Sequence, residues 1–211
     1  MCIRDRDEEA YLQHEDVHVI VSKDGWLKRI RSNNDPYATR VRDGDRIFFT
    51  EEVSTRDLLA IFTTHGNMYV TQIIDVVATN GYGDPVQKMF SFQDGEQIVS
   101  CLVRRQTPRE KQVELFPSDE VLYFTKQGYG FRSSIADLAV TTKKGKRVVR
   151  VAEDDRLAGI TIVRGKMLLF LSAEGYAICV MTDQVPVLSG VAKGVILHKM
   201  SGDDTPVSSA R

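Results

Sequence analysis

Apolar residues along the chain fall into short runs that are interrupted four times by the same polar turn. In each copy, two or more apolar residues precede a Ser or Thr, two polar or small residues, a Gly and a second strand-like run. Gly takes the positive φ that a tight turn demands, so each copy predicts a β-hairpin. The four copies span residues 20–26, 61–67, 123–129 and 170–176.

A second element follows each hairpin, made of an apolar residue and a short acidic or small segment. In the first three copies it leads into another apolar strand; the four elements are residues 41–47, 92–98, 151–157 and 200–206. The turn glycines Gly25, Gly66, Gly128 and Gly175 lie 41, 62 and 47 residues apart. A period of roughly 40 to 50 residues fits a four-stranded propeller blade. The sequence therefore predicts an all-β, propeller-like array of about four four-stranded blades.

The repeats also set the expected domain boundaries. One β-domain should cover residues 15–207, with repeats at about 15–55, 56–103, 119–163 and 164–207. The spacing of 62 residues between Gly66 and Gly128 is longer than the others because it contains a polar, Pro-containing stretch at the start of residues 104–118. This stretch predicts an inter-blade linker. Residues 1–14 are expected to be a linker remnant or disordered, and residues 208–211 a tail. Helical periodicity is scarce, and residues 1–13 are the only stretch where a helix is considered.

Composition narrows the class of protein. Hydrophobic residues make up 42% and charged residues 27%, which is typical of a globular chain. No apolar run approaches the roughly 20 residues of a membrane-spanning helix, and no signal pattern opens the chain, so we expect no membrane partner and a cytoplasmic location. Three cysteines far apart in sequence favour reduced thiols. His14 and His18 lack a third ligand at a recognisable spacing, so no metal or cofactor is expected.

The overall charge of the chain does not indicate a polyanionic partner. The chain carries 28 Lys+Arg against 29 Asp+Glu, for a formal net charge of -1. A local basic patch still attracts phosphate on a chain whose total charge nearly cancels. Any nucleic-acid function therefore depends on where the basic residues lie.

The repeats resemble the β-pinwheel, a propeller-like fold whose blades exchange strands with their neighbours. This fold occurs in the C-terminal domain of the A subunit of bacterial type IIA DNA topoisomerases, gyrase and topoisomerase IV. The resemblance runs from about Glu15 to Asp204 and is most specific at the blade starts, residues 16–29 and 128–132, and at the loop of residues 188–195. The acidic stretch of residues 7–10 is similar to the linker that joins this domain to the catalytic core.

The resemblance is closer to topoisomerase IV than to gyrase. Gyrase carries a Gly-rich basic box in its first blade, and residues 31–40 here contain neither a Gly nor a basic cluster. The resemblance implies a non-catalytic domain that binds and bends duplex DNA and presents it to the breakage-reunion core. It also implies, as partners, the B subunit together with the remainder of the A subunit. Catalytic residues, ATP and Mg²⁺ would belong to other parts of the parent enzyme.

Basic residues in hairpins and loops are the candidate DNA contacts. The densest group is residues 143–147, where a Gly lets the backbone approach a phosphate. The full candidate set is Lys28, Arg29, Arg31, Arg40 and Arg42 in the first repeat, Arg132, Lys143, Lys144, Lys146, Arg147 and Arg150 in the third, and Lys193 and Lys199 in the fourth.

A second hypothesis is a propeller-type scaffold that binds proteins and not DNA. It is motivated by the near-zero net charge and by the acidic elements, chiefly residues 153–155 and 203–204. An enzyme with a site at the blade tops has little support, because no nucleophile, base and orienting group form a recognisable local motif.

Overall fold

A computed structural model describes residues 15–32, 35–106, 120–136, 138–199 and 204–206. The expected linker remnant at residues 1–14, the tail at residues 208–211 and most of the expected inter-blade linker at residues 104–118 lie outside the described residues.

The described residues form fourteen β-strands and four short 3₁₀ turns. The strands are β1 (Asp16–Ser22), β2 (Trp26–Arg31), β3 (Ile47–Ser54), β4 (Leu58–Thr63), β5 (Asn67–Gln72), β6 (Asp84–Pro85), β7 (Ile98–Arg104), β8 (Glu120–Thr125), β9 (Tyr129–Ser134), β10 (Lys146–Arg147), β11 (Leu157–Ile162), β12 (Met167–Leu171), β13 (Ala177–Met181) and β14 (Val195–Ile196). The 3₁₀ turns are Pro36–Ala38, Ile73–Asp75, Val86–Lys88 and Thr182–Gln184. The all-β prediction is confirmed.

These strands make four antiparallel sheets, one for each repeat. The strand orders are β3-β1-β2-β6, β10-β5-β4-β7, β11-β8-β9-β14 and β12-β13. The fourth sheet has two strands within the described residues, extended by one isolated bridge between Ser172 and Pro206. Residues 200–203 and 207 of this repeat lie outside the described residues, so the four-stranded prediction for the fourth blade stays a prediction.

Each of the first three sheets takes its outermost strand from the repeat that follows. In the first sheet, β6 pairs with β2 through Trp26 with Pro85 and Leu27 with Asp84. In the same way β10 pairs with β5, and β14 pairs with β9. The strand exchange that the β-pinwheel resemblance implies is thus present at all three junctions.

The Gly before each exchanged strand explains how that strand approaches so closely. Gly83, Gly145 and Gly194 all have positive φ, at 91°, 68° and 84°. A Cβ on Gly83 would lie 2.5 Å from the Leu27 carbonyl oxygen, and one on Gly194 would lie 2.3 Å from that of Gly130. Only Gly meets both the backbone and the steric requirement at these positions.

The recurring Ser or Thr and the acidic element form one hydrogen-bonded unit. In the first repeat, the Ser22 Oγ accepts a hydrogen bond from the Trp26 amide, 3.0 Å away. Asp45 Oδ1 accepts from the amides of Asp24 and Arg46, at 3.1 and 2.7 Å. Burial alone would raise the pKa of Asp45, but hydrogen bonds from the Ser22 hydroxyl and these amides outweigh it and lower the pKa.

The third and fourth repeats use the same unit. Asp155 Oδ1 accepts from the Gln127 and Arg156 amides, and Asp204 Oδ1 accepts from those of Glu174 and Thr205. In the last case a hydrogen bond from the Ser172 hydroxyl, with those two amides, lowers the pKa of Asp204. The acidic element thus holds the hairpin turn in place.

The second repeat replaces this Asp with the buried Glu96. Its carboxylate accepts hydrogen bonds from the hydroxyls of Thr63 and Tyr69, the amide group of Asn67 and the Gln93 backbone. Burial, with the nearby Glu96 charge, raises the pKa of Tyr69 to about 12. The longer side chain reaches across the sheet to β5 and ties it to the turn.

The hydrophobic core lies between successive sheets. Alternate residues of each central hairpin face the preceding repeat and the following repeat, so both faces of β4 are buried along its whole length. Three clusters result, one at each junction. Residues of β1 and β4 that point to the next repeat include Val19, Val21, Ala60 and Phe62, each fully buried.

Candidate nucleic-acid interface

The densest positive group lies on the outer edge of the second sheet. We call Lys143, Lys144, Lys146 and Arg147 the basic cluster; all four residues are exposed. Lys146 and Arg147 form β10, the strand that the third repeat donates to the second sheet. The cluster therefore projects from the sheet of the repeat before its own, at the rim of the array.

Backbone contacts fix the cluster in place. The Ser91 amide donates to the Lys143 carbonyl at 2.7 Å, and the Gly145 amide donates to the Thr142 carbonyl at 2.9 Å. A Cβ on Gly145 would lie 2.6 Å from the Tyr69 ring. The turn is thus packed directly on the second sheet, which presents the four cationic side chains from a fixed backbone.

The charge of the cluster is not neutralised locally. Within the described ranges, none of its four side chains forms an ion pair with a carboxylate. In the second sheet, the acidic element of residues 92–98 leads into β7 at one edge, whereas the basic cluster flanks and forms β10 at the opposite edge. Positive and negative segments are therefore separated by the width of a sheet in the second repeat.

Three further candidate cations lie over aromatic rings. The Arg42 guanidinium is 4.5 Å from the Trp26 ring centroid, and the Lys193 ammonium is 3.9 Å from that of Tyr129. Trp26 and Tyr129 occupy the same repeat position, directly after the turn Gly. Arg40 lies 5.6 Å from the Tyr82 ring. Stacking orients each charged group while leaving its residue exposed to solvent.

The three remaining surface candidates are also exposed to solvent. Arg31 ends β2, Arg150 follows the exchanged strand β10, and Lys199 follows the exchanged strand β14. Their side chains are accessible to a ligand.

The prediction that Lys28 contacts DNA is wrong. Lys28 is 2% exposed, and its ammonium donates hydrogen bonds to the Thr39 hydroxyl and to the carbonyls of Arg40 and Gly81. Burial lowers the pKa of Lys28. All the donors of this group are used inside the fold, so none reaches a phosphate.

Arg29 and Arg132 join neighbouring repeats. They hold the same position in the first and third repeats, and their Nε–H groups donate to the carbonyls of Val76 and Val185 at 2.8 and 2.9 Å. Arg132 also pairs with Glu120 at 2.7 Å. These two half-buried guanidinium groups are positioned by contacts within the protein, which the sequence prediction missed.

Two further observations concern metal sites and membrane spans. In the part of the chain that the structure describes, no group of three His, Cys, Asp or Glu side chains is placed to hold a metal ion. His14 lies outside the described residues. None of the helical segments in the described ranges is long and apolar enough to cross a membrane.

Comparisons with known proteins agree with the geometry. A family model described as the DNA gyrase C-terminal domain, beta-propeller, matches residues 119–164 and 166–208. The chain is 27% identical to the A subunit of DNA topoisomerase 4 from Bacillus subtilis, covering 95% of this chain and 25% of that protein. It is 26% identical to the A subunit of DNA gyrase from Haloquadratum walsbyi, covering 96% and 24%. The chain thus spans about a quarter of these relatives.

A solved structure shows the same fold. The crystal structure of the C-terminal domain of DNA topoisomerase IV superposes with a TM-score of 0.77 at 22% identity, covering 93% of this chain and 61% of that one. The β-pinwheel prediction and the family resemblance drawn from the repeats are confirmed.

Proposed function

We propose that the chain is a non-catalytic module that binds and bends duplex DNA, because residues 119–164 and 166–208 match the family model described as the DNA gyrase C-terminal domain, beta-propeller. In this proposal it acts in the cytoplasm as part of the A subunit of a type IIA topoisomerase. It presents a DNA segment to a breakage-reunion core that lies outside these 211 residues.

The observation that carries the proposal is the fixed, unneutralised basic cluster on β10. Lys and Arg side chains at phosphates release condensed counterions, which gives affinity without sequence preference. Each contact steepens the fall of affinity with salt by about 0.9 in the log–log slope. A rigid backbone adds to this, because the four cations need no reordering of the chain to meet the DNA.

Bending requires more than this one cluster. Smooth bending of a 20 to 30 base-pair segment by 40 to 90° costs on the order of 1 to 6 kcal/mol. Contacts on several repeats must act together to offset that cost. The stacked cations Arg40 and Arg42 on the first repeat and Lys193 on the fourth supply such contacts at a distance along the array.

We propose a role closer to that of topoisomerase IV than to that of gyrase. Residues 31–40, at the position of the gyrase basic box, contain no Gly and no basic cluster. Without that box, the domain bends DNA but does not wrap it fully. The proposed enzyme is completed by the B subunit, by the remainder of the A subunit, and by ATP and Mg²⁺ bound elsewhere.

The acidic elements give less support to a protein-interaction scaffold than their sequence indicates. Asp155 and Asp204, which motivated that hypothesis, accept hydrogen bonds from hairpin turns in their own repeats. Their charges are used to hold the fold, which leaves Glu153 and Asp154 as the exposed acidic pair of the third repeat.

The test is a comparison of two variants that lose the same charge. One neutralises the basic cluster with K143Q, K144Q, K146Q and R147Q. The control carries K23Q, K88Q, K126Q and K166Q, at lysines that are all exposed. Fluorescence anisotropy with a 30 base-pair duplex, repeated across a salt series, should show at least about tenfold weaker binding for the cluster variant and a slope reduced by up to about 0.9 per lost contact.

Equal affinities of the two variants would remove the proposed contact surface. Bending is measured separately, by energy transfer between dyes at the two ends of the duplex. Binding that leaves the end-to-end distance unchanged would reduce the proposal to DNA binding alone.

A further inference from the structure

A cleft of about 490 Å³ lies between the first and second repeats, at the end of the first sheet where β1 begins and β2 ends. One wall is formed by the first repeat and includes Val17, Arg29 and Arg31. Residues 78–80 of the second repeat form the other wall. Arg29 is half-buried and Arg31 is exposed, so two guanidinium groups lie on one side of the cleft.

The third repeat shows what an arginine at this position pairs with. Arg132 holds the repeat position of Arg29, and its guanidinium pairs with Glu120 at 2.7 Å. In the first repeat Val17 replaces Glu120 and is buried in the core between the two repeats. The Arg29 Nε–H group keeps its hydrogen bond to the Val76 carbonyl. Its two terminal amino groups have no carboxylate partner among the described residues.

Arg31 adds a second positive charge that the third repeat lacks. Arg31 pairs with Val17 across the sheet. Ser134 pairs with Glu120 in the same register, so Arg31 stands where the third repeat has a neutral serine. Relative to the third repeat, the cleft has therefore lost one negative charge and gained one positive charge. The carboxylate of Glu15, which also lines the cleft, offsets only one of the two cations.

Hydrogen-bond donors lie on the opposite wall as well. The Thr79 amide donates to the Arg29 carbonyl at 3.2 Å, and the Gly81 amide donates to the Thr79 hydroxyl oxygen at 3.0 Å. These two bonds fix the backbone of this wall. In the part of the chain that the structure describes, the Thr79 hydroxyl hydrogen has no acceptor and the Asn80 side chain has no hydrogen-bond partner. Both groups can therefore donate to a ligand in the cleft.

We propose that this cleft binds one phosphate group of a small ligand, as free phosphate or as a phosphomonoester. Guanidinium groups present their N–H donors in a rigid fork that matches phosphate oxygens. A phosphomonoester carries about 1.5 to 2 negative charges at neutral pH, which matches two cations better than the single charge of a carboxylate does. Its oxygens are arranged tetrahedrally, so they accept hydrogen bonds from both walls.

The position of Arg29 favours a small ligand over the backbone of duplex DNA. Its guanidinium is tied to the Val76 carbonyl inside the junction between two repeats, whereas the basic cluster is exposed at the rim on β10. A backbone phosphate carries a sugar on each side, which hinders its entry into the cleft, and it has a single negative charge. The proposal is therefore independent of DNA binding by the basic cluster.

The test follows the ³¹P line width of millimolar inorganic phosphate in a chloride buffer, which broadens when phosphate exchanges with a site on the protein. R31S copies the third repeat, and V17E restores its carboxylate beside Arg29. We expect each variant to bind phosphate at least about tenfold more weakly than the parent, because one removes a charged donor and the other occupies one. R31S changes an exposed side chain, so its result stands even where the buried V17E change lowers stability.

The matched control is R46S, which removes an exposed arginine at the turn end of the same sheet. It should broaden the phosphate signal as the parent does. Equal line widths with the parent, R31S and R46S chains would overturn the proposal.

Two further ligands distinguish the sources of the phosphate group. Broadening of the glycerol 3-phosphate signal by the parent, with its loss in R31S, would extend the site to phosphomonoesters, whereas an unbroadened signal would restrict it to free phosphate. A 30 base-pair duplex without terminal phosphates should leave the bound inorganic phosphate in place. Displacement by that duplex would refute a separate site and assign the cleft to the DNA-contact surface. Absence of DNA binding in the anisotropy experiment would leave the phosphate result unchanged, since the line widths of the first experiment are measured without DNA.

Discussion

The outward faces of the first and fourth repeats are built in opposite ways. On the first, Lys28 stands at the position that Tyr69 and Phe131 occupy in the second and third repeats, where those rings pack on the preceding sheet. The Lys28 ammonium is capped by Thr39, Arg40 and Gly81. The fourth repeat instead presents bare apolar side chains.

The difference separates a closed end of the array from an open one. In a repeat architecture each unit buries its core against its neighbours, so an uncovered face needs polar or self-covering residues. The first repeat meets that need through its own loop. The fourth keeps the residue types of an internal repeat, so its outward face has an apolar composition like that of the buried faces between repeats.

The largest expected effect comes from shortening the side chain at one repeat position, which is buried in the second repeat and exposed in the fourth. Phe62 and Leu171 hold the same repeat position, but Phe62 is fully buried and Leu171 is 46% exposed. F62A should lower the free energy of unfolding by about 3–5 kcal/mol, and L171A by less than about 1 kcal/mol. Urea denaturation followed by tryptophan fluorescence measures both. Similar losses would show that the fourth face is already covered in solution.

The second prediction addresses the closed end. K28M removes the ammonium group that donates hydrogen bonds to the Thr39 hydroxyl and to the carbonyls of Arg40 and Gly81. These three oxygen atoms then lose that donor inside the fold. The free energy of unfolding should fall by about 1–3 kcal/mol, the usual cost of unsatisfied buried polar groups. K126M, at an exposed lysine, is the control and should stay within about 0.5 kcal/mol. A K28M chain as stable as its parent would mean that the cap contributes nothing.

The smallest effect concerns a feature that the two ends share. Asp45 and Asp204 both have lowered pKa values in the fold. A carboxyl whose folded pKa is depressed stabilises the fold above its unfolded pKa of about 3.9, and that stabilisation is lost as pH falls through the folded value. Unfolding midpoints in urea should therefore decline below about pH 4.

The double variant D45N and D204N should show a shallower decline over the same range. Its stability at pH 7 should be lower than that of the parent, since the neutral amide accepts these hydrogen bonds less strongly. An unchanged acid profile would assign the pH dependence to other carboxylates.

Local sequence patterns were sufficient to predict the hairpins, the acidic elements and the all-β class. The Ser or Thr, the turn Gly and the acidic residue act within one repeat, so their spacing carries the information. Alignment of Lys28 with Tyr69 and Phe131 also held a signal that this lysine is buried, because that position faces inward.

The exchanged strands could not be predicted in the same way. β6, β10 and β14 are two residues long and pair with a sheet of the preceding repeat. Strands this short leave no periodicity, and the position of the basic cluster depends on them. The roles of Arg29 and Arg132 were hidden for the same reason, since their partners are backbone carbonyls about fifty residues away in sequence.

Strand exchange determines how such an array changes its length. A chain cut at a repeat boundary leaves its last sheet without a fourth strand, as removal of residues 164–207 would take β14 from β9. Deletion of a whole internal repeat has no such result, because the next repeat brings an equivalent strand to the vacated edge. Gene duplication and loss can therefore add or remove blades in the interior, whereas trimming from the downstream end always exposes an incomplete sheet.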